Sequence, residues 1–391
     1  MAVQRTLVIG GGIGGLTAAL CLARGGREVG VLEQAEAFGE VGAGLQIGPN
    51  ASHVLHALGL EEGLRAVGFE PACAQMRHWR RGRVLYETPF GERVVERFGA
   101  PYYHLHRADL LGVLLEAAER EPRIELRTGV KVEAAEDAGD EAVVLLQRGS
   151  ERADLVIGAD GIHSNVRASL FGPAEARFTG NVAWRATVPA ERLPADLVAP
   201  AATVWLGPGK HFVHYYLRGG TLVNCVCVVE KTGWEEESWT SRGDHAELVA
   251  DFSGWHADVR TLVDAMDPEA CFKWALFDRD PMPQWSRGRL TLLGDACHPT
   301  LPFMAQGAGM AIEDAQVLTN CLAAGDDVVR ALARYETLRK ARTARIQQGS
   351  RRNGTIFHLS GFAAWARDRA MRRAGDRVTD WLYEYDPTQV H

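Results

Sequence analysis

Six residues near the start of the chain, Gly10-Gly11-Gly12-Ile13-Gly14-Gly15, satisfy the pattern G-x-G-x-x-G. Gly10 suits a tight turn, Gly12 lets backbone N–H groups approach a pyrophosphate, and Gly15 lets a helix pack closely on a strand. The start of that helix favours negative charge. Glu33 ends the next apolar run, where its carboxylate can accept from ribose hydroxyls and would repel a 2′-phosphate, so FAD or NAD is expected there over NADP. A plain glycine turn is the competing reading, and strand, helix and acid together weigh against it. A second group lies further on. Gly219-Gly220 between 211–217 and 222–228 is a hairpin signal, and strand alternation puts His211, Val213, Tyr215 and Leu217 on one face with His214 on the other. Tyr215 then pairs with Asn224. A histidine with an ordinary near-neutral pKa beside a phenol suits general acid–base work, although a solvated sheet face would hold the same residues. A metal reading fails, because His211 and His214 diverge and no third ligand accompanies them.

These residues need elements to position them. Thr6 to Ile9 reads as a buried strand, Leu16 to Arg24 as a helix and Glu28 to Glu33 as a second strand, a βαβ unit. Residues 107–120 read as a helix, and Ile124 to Leu126, Ala142 to Leu146 and Asp154 to Gly158 as strands. From about 178 to 275 the texture becomes alternating β segments with Trp184, Trp205, Trp234, Trp239, Trp255 and Trp274, suggesting a wall beside the nucleotide unit. Arg289 to Gly294 returns to the buried-strand pattern, and a helical tail begins near 308. The expected fold class is α/β: a Rossmann-like nucleotide-binding domain, a β-sheet substrate domain and a helical C-terminal tail.

Composition agrees with a soluble globular chain. At 391 residues, 46% apolar and 24% charged, the chain is long enough for two or three domains and for an internal ligand cavity. Net charge is −7, which gives no general reason to seek nucleic acid or an acidic membrane. The sign is uneven, since 330–380 holds thirteen Arg/Lys against four Asp/Glu; a solvated helical face is the expected explanation over a polyanion-binding arm. Seven scattered cysteines without a C-x-x-C pair fit reduced thiols. Thr6 to Ala23 is uncharged and mostly apolar, but five glycines within it favour a β-turn-α unit over a signal peptide or membrane helix, which gives a cytoplasmic expectation.

Two further segments are recognisable. Ala153-Asp154-Leu155-Val156-Ile157-Gly158-Ala159-Asp160-Gly161 resembles the Asp-Gly fingerprint, and Leu293-Gly294-Asp295-Ala296-Cys297-His298-Pro299 the Gly-Asp fingerprint, of the single-component flavoprotein aromatic hydroxylases with the para-hydroxybenzoate hydroxylase fold. Order and spacing of all three motifs match over essentially the whole chain, and the salicylate and hydroxybenzoate hydroxylase branch is most similar. The resemblance implies noncovalent FAD held by Gly10, Gly12, Gly15, Glu33, Gly44, Arg107, Asp160, Asp295, Gly307, Ala308 and Gly309, with Val41 to Gln46 running beside the flavin. It implies a substrate site of Tyr102, His211, Tyr215, Asn224, Pro302 and Phe303, with His211 and Tyr215 catalytic. It divides the chain into FAD-binding parts at 1–70, 101–177 and 276–345, substrate-domain strands at 71–100, a β-sheet substrate domain at 178–275 and a C-terminal helical segment at 346–391.

The implied activity is hydroxylation of a phenolic aromatic acid with NADH or NADPH and O₂ through a flavin hydroperoxide. No second nucleotide signature exists and Gly207-Pro-Gly-Lys is not a P-loop, so the reductant is expected to bind transiently. Gln46, Pro302 and Phe303 depart from the hydroxynicotinate and 3-hydroxybenzoate patterns, which favours a salicylate-like substrate, with 3-hydroxybenzoate or 6-hydroxynicotinate as alternatives. The tryptophan-rich sheet and Pro302-Phe303-Met304 are expected to exclude water. A disulfide reductase is disfavoured, since Gly39 to Asn50 contains no cysteine, and an amine oxidase would lack the Asp-Gly and Gly-Asp pair; a non-catalytic FAD protein is the alternative class. The expected partner is a small aromatic acid, with no nucleic acid or membrane, in a monomer or homodimer.

Overall fold

Two sheets dominate the architecture, and their strands read differently in the sequence. The computed structural model describes residues 5–39, 43–231, 242–325, 327–375 and 377–391. The first sheet has six strands in the order Ser286–Arg287, Leu290–Leu292, Leu155–Gly158, Arg5–Ile9, Glu28–Leu32, Ile124–Arg127. All neighbours are parallel except the Ser286–Arg287 edge. Leu7, Val8, Val31, Leu155, Val156 and Leu292 are buried as near-continuous apolar runs, as a sheet covered on both faces requires. The helix Ile13–Arg24 starts three residues earlier than expected, because Gly12 takes the N-cap position with extended backbone. The helix Gly307–Ala323 packs against it. The α/β expectation holds.

The second sheet has seven strands, ordered Phe272–Asp278, Arg177–Pro189, Leu222–Glu230, Lys210–Leu217, Ala201–Gly207, Cys73–His78, Val84–Pro89. Its period-two pattern gives it two different faces. Trp184, Trp205, Phe212 and Cys227 pack with Leu248, Val259 and Leu262 of the helices His245–Asp251 and Ala257–Asp264. The opposite face, with Val204, Val213, Val226 and Val228, looks into a large cavity. This corrects the expected role of the tryptophans: Trp184, Trp205 and Trp255 belong to the far core, and Trp274 lines the cavity. Trp234 and Trp239 lie outside the described residues.

The tail folds as Val328–Phe357 and Gly361–Met371. Of the thirteen Arg/Lys in 330–380, eight are exposed, as a solvated face requires, and five are buried or half-buried. Arg339 is fully buried between Glu313 (2.6 Å) and Asp314 (2.7 Å), Arg342 pairs with Glu313 (2.8 Å), and Arg351 pairs with Asp278 (2.6 Å). All seven cysteines are free. Among the described residues no helix is long and apolar enough to cross a membrane.

Candidate active site

A cavity of about 850 Å³ runs from the glycine turn to the seven-stranded sheet, within the size range of small-molecule sites. Gly10 has φ +107°, and a Cβ there would meet the Ala159 carbonyl oxygen at 2.4 Å, so only glycine lets the first strand turn this close to its neighbour. Gly15 faces packing and not the cavity: a Cβ would lie 1.9 Å from the Gly10 oxygen. Gly10, Gly12 and Glu33 line the cavity. The Glu33 carboxylate already accepts the Gly11 and Ala35 N–H groups, each at 2.8 Å, which fixes its direction while each oxygen keeps a further lone pair. Asp160 accepts from Val166 N–H at 3.2 Å through one oxygen, and among the described residues its buried Oδ1 has no hydrogen-bond partner within reach.

Asp295 and Arg107 form the next station. Burial around the cavity pushes the Asp295 carboxyl up, and Arg107 opposes that shift, while burial pulls Arg107 down against Asp295. Gly307 and Ala308 open the helix Gly307–Ala323 onto the cavity; Gly309 sits behind, where a Cβ would meet the Gln306 side chain at 3.4 Å. Gly44 lines the cavity, and a Cβ would press on the Tyr215 hydroxyl at 2.8 Å. Val41 and Gly42, in the segment expected beside the flavin, lie outside the described residues.

At the far end the hairpin has the expected register, with Tyr215 opposite Asn224 and the turn at Arg218–Gly220. His211, Tyr215, Tyr102, Pro302 and Phe303 all line the cavity. His214 turns away and accepts the Trp205 indole N–H at 3.0 Å. Asn224 requires a correction: it is fully buried and does not line the cavity, because its Oδ1 accepts the Gly44 N–H at 2.8 Å and the strand Gly44–Ile47 covers it. Tyr102 donates to Gln46 Oε1 at 2.7 Å and stacks on Phe90 at 4.4 Å. Phe303 meets His211 edge-on at 5.0 Å. Pro302–Met304 forms a short turn seated on glycines of the long helix, since a Cβ on Gly354 would meet Phe303 at 2.9 Å and one on Gly349 would meet Met304 Sδ at 2.7 Å.

The FAD binding domain family model matches residues 4–350. The chain belongs to this family. It is a flavoprotein monooxygenase, similar over 99% of its length to the 3-amino-4-hydroxybenzoate 2-monooxygenase of Streptomyces platensis, at 42% identity and 97% coverage of that relative. A 3-hydroxybenzoate 6-hydroxylase of Polaromonas naphthalenivorans is 41% identical, over 97% of this chain and 96% of that one. Among solved structures, Klebsiella pneumoniae HpxO complexed with FAD and uric acid aligns with TM-score 0.86 at 28% identity, covering 98% of this chain and 96% of the other.

The monooxygenase cavity fits its cofactor: the glycine cradle that a Cβ would fill, the unpartnered Asp160 oxygen and the opposed Arg107 and Asp295 form one continuous lining. Sequence reasoning missed Arg185, which lines the cavity with its guanidinium 4.5 Å from the Trp274 ring centroid. Burial, with Arg107 nearby, lowers it to about 10, so it remains cationic at neutral pH. Its signal was available: a lone cation in Val182-Ala183-Trp184-Arg185-Ala186, registered opposite Val226. The near-neutral pKa attributed to His211 from its residue type is also corrected. Burial, and then His358, push it well below the ordinary value, so the ring is a neutral imidazole. Burial raises Tyr215, with Arg185 opposing, so its hydroxyl stays protonated.

Proposed function

We propose that this monooxygenase hydroxylates a phenolic aromatic acid, a benzoate whose hydroxyl or amino substituents lie away from the ortho position. The carrying observation is that Arg185 and the neutral His211 project from one largely apolar sheet face into the same cavity. A cation there suits the carboxylate, and an unprotonated imidazole suits the phenol proton. The names of the relatives support the 3-hydroxybenzoate alternative over the salicylate-like expectation drawn from Gln46, Pro302 and Phe303.

When bound, FAD supplies the chemistry that takes electrons from NADH or NADPH and activates O₂. Gly10, Gly12, Glu33, Arg107, Asp160 and Asp295 would hold it, with Gly307 and Ala308 presenting helix N–H groups. His211 accepts the substrate's phenolic proton at Nε2, since Nδ1 is engaged elsewhere, and makes the ring electron-rich. Tyr215, Tyr102 and Gln46 orient the ring. Phe303 and Met304 shield the cavity from water.

The test is reductant oxidation by the FAD-loaded protein with 3-hydroxybenzoate, 3-amino-4-hydroxybenzoate and salicylate, scored by hydroxylated product and H₂O₂. Coupled turnover of a non-ortho acid is expected, with salicylate poorer. His211→Ala is expected to lower product formation by about 10²-fold or more and to raise the H₂O₂ share. Turnover coupled as in wild type in that variant removes His211 from the chemistry; no product from any of these acids removes the substrate class.

A further inference from the structure

His211 does not end at the cavity wall. Its Nδ1 lies 2.8 Å from His358 Nε2, and His358 Nδ1 lies 2.8 Å from Glu230 Oε1. The three residues come from separate elements: the strand Lys210–Leu217, the C-cap of the helix Val328–Phe357 and the last residue of the strand Leu222–Glu230. The line runs outward, because His211 is buried, the His358 side chain is 4% exposed and the Glu230 side chain is 57% exposed. The backbone fixes its outer end: the Gly209 N–H donates to the His358 carbonyl at 3.0 Å, and Glu230 N–H donates to the Gly209 carbonyl at 2.9 Å. Phe303 and Phe357 stand edge-on to the His211 ring at 5.0 and 5.3 Å, leaving it little room to turn.

We propose that His211, His358 and Glu230 form a proton path from the cavity to solvent, with His358 and Glu230 acting through His211. This rests on reading His211 as the acceptor of the substrate proton. At rest His211 carries its proton on Nδ1 and His358 on Nδ1, and Glu230 is a carboxylate. When the phenol O–H breaks and its proton binds His211 Nε2, the Nδ1 proton passes to His358 Nε2, and the His358 Nδ1 proton passes to Glu230 Oε1 and then to water. The substrate is left as phenolate, and no charge remains on either ring. The reverse transfer reprotonates the product as it leaves. The path resolves a difficulty of the site: burial makes His211 a poor place to keep a proton, whereas a carboxylate at the surface delivers it to water. The other charge acting on His358 is Arg367, which is itself tied to Asp368 and to the Phe357 carbonyl.

The experiment mixes FAD-loaded protein with 3-hydroxybenzoate in weak buffer containing an indicator dye and follows proton release alongside the absorbance of the bound phenolate. Wild type is expected to release a proton with phenolate formation, whereas benzoate, which has no phenol, releases none. Glu230→Gln, at an exposed position, should slow release about tenfold or more at an unchanged FAD:protein ratio, and His358→Gln should do the same. In a His211→Ala background, Glu230→Gln should add nothing further. Proton release as fast as wild type in Glu230→Gln overturns the path while leaving the aromatic-acid reading intact. A readout without substrate separates the two proposals: ¹⁵N-histidine NMR should show hydrogen-bonded Nδ1–H signals for His211 and His358, the former lost in His358→Gln and the latter shifted in Glu230→Gln. Absence of these signals from wild type also overturns the path, whatever the protein hydroxylates.

Discussion

Arg185, half-buried in the cavity wall, shows how one cation sets the chemistry of a cavity. On a sheet face otherwise contributing Val204, Val213 and Val226, a guanidinium is tolerable only where charge or a ring faces it, and here Trp274 lies beneath it at 4.5 Å. A ligand carboxylate would add a charge-assisted pair to it. Arg185→Met keeps much of the stem's apolar contact and removes the charge. The expected outcome is a KM for the aromatic acid raised about 10- to 100-fold, from the roughly 1.5–3 kcal/mol of a hydrogen bond to a charged group, with bound FAD unchanged. Steady-state kinetics beside the flavin absorbance ratio decide it. An unaltered KM would assign the carboxylate to another group, first Arg107.

Between elements, the cavity depends on how the strand Gly44–Ile47 is fastened over the hairpin. Asn224 does this, since its Oδ1 receives the Gly44 N–H inside a fully buried contact. Asn224→Ala would strand that donor, which costs about 1–3 kcal/mol, and would loosen the segment beside Tyr215. A lower melting temperature together with weaker FAD retention is the expected pair of changes, measured by thermal melts and flavin release. Loss of aromatic binding at full stability would instead restore Asn224 to the substrate site. The same residue marks what was legible in sequence. Alternation and the Gly219-Gly220 turn specified the Tyr215–Asn224 pairing, and apolar runs specified the parallel strands, because those signals are local. What lies over Asn224 is set by a strand 180 residues away, and His211 meets His358 across 147 residues, separations over which no spacing rule operates. Arg185 differs, since its oddity in an apolar strand was visible, whereas its aromatic support was not.

Across the whole molecule, burial of neutral histidines ties stability to pH. Burial lowers His104 and His214 to about 3 and His211 well below its ordinary value, whereas in the unfolded chain each takes up a proton near 6.5. Below 6.5 the unfolded state therefore binds more protons than the folded one, so stability present above 6.5 is lost as pH falls. At pH 5 the loss is about 2 kcal/mol for each histidine, from about 1.5 pH units at 1.36 kcal/mol per unit. The Asp314 carboxylate acts in a separate window. Burial alone would raise Asp314, but His298 and Arg339 hold it at about 2, so its stabilising contribution persists until pH falls below about 4. A loss between pH 6.5 and 5 therefore does not come from Asp314, while Asp160 and Asp295, whose carboxyls burial pushes up, act in the opposite sense to the histidines. Urea unfolding of the FAD-loaded protein at pH 7.5 and 5.0, at a fixed excess of FAD, should give a much lower midpoint at pH 5.0. His104→Phe, compared at both pH values so that any pH dependence of flavin binding cancels, should remove about 2 kcal/mol of that difference. The same midpoint difference in His104→Phe as in wild type would mean that His104 does not stay neutral in the fold.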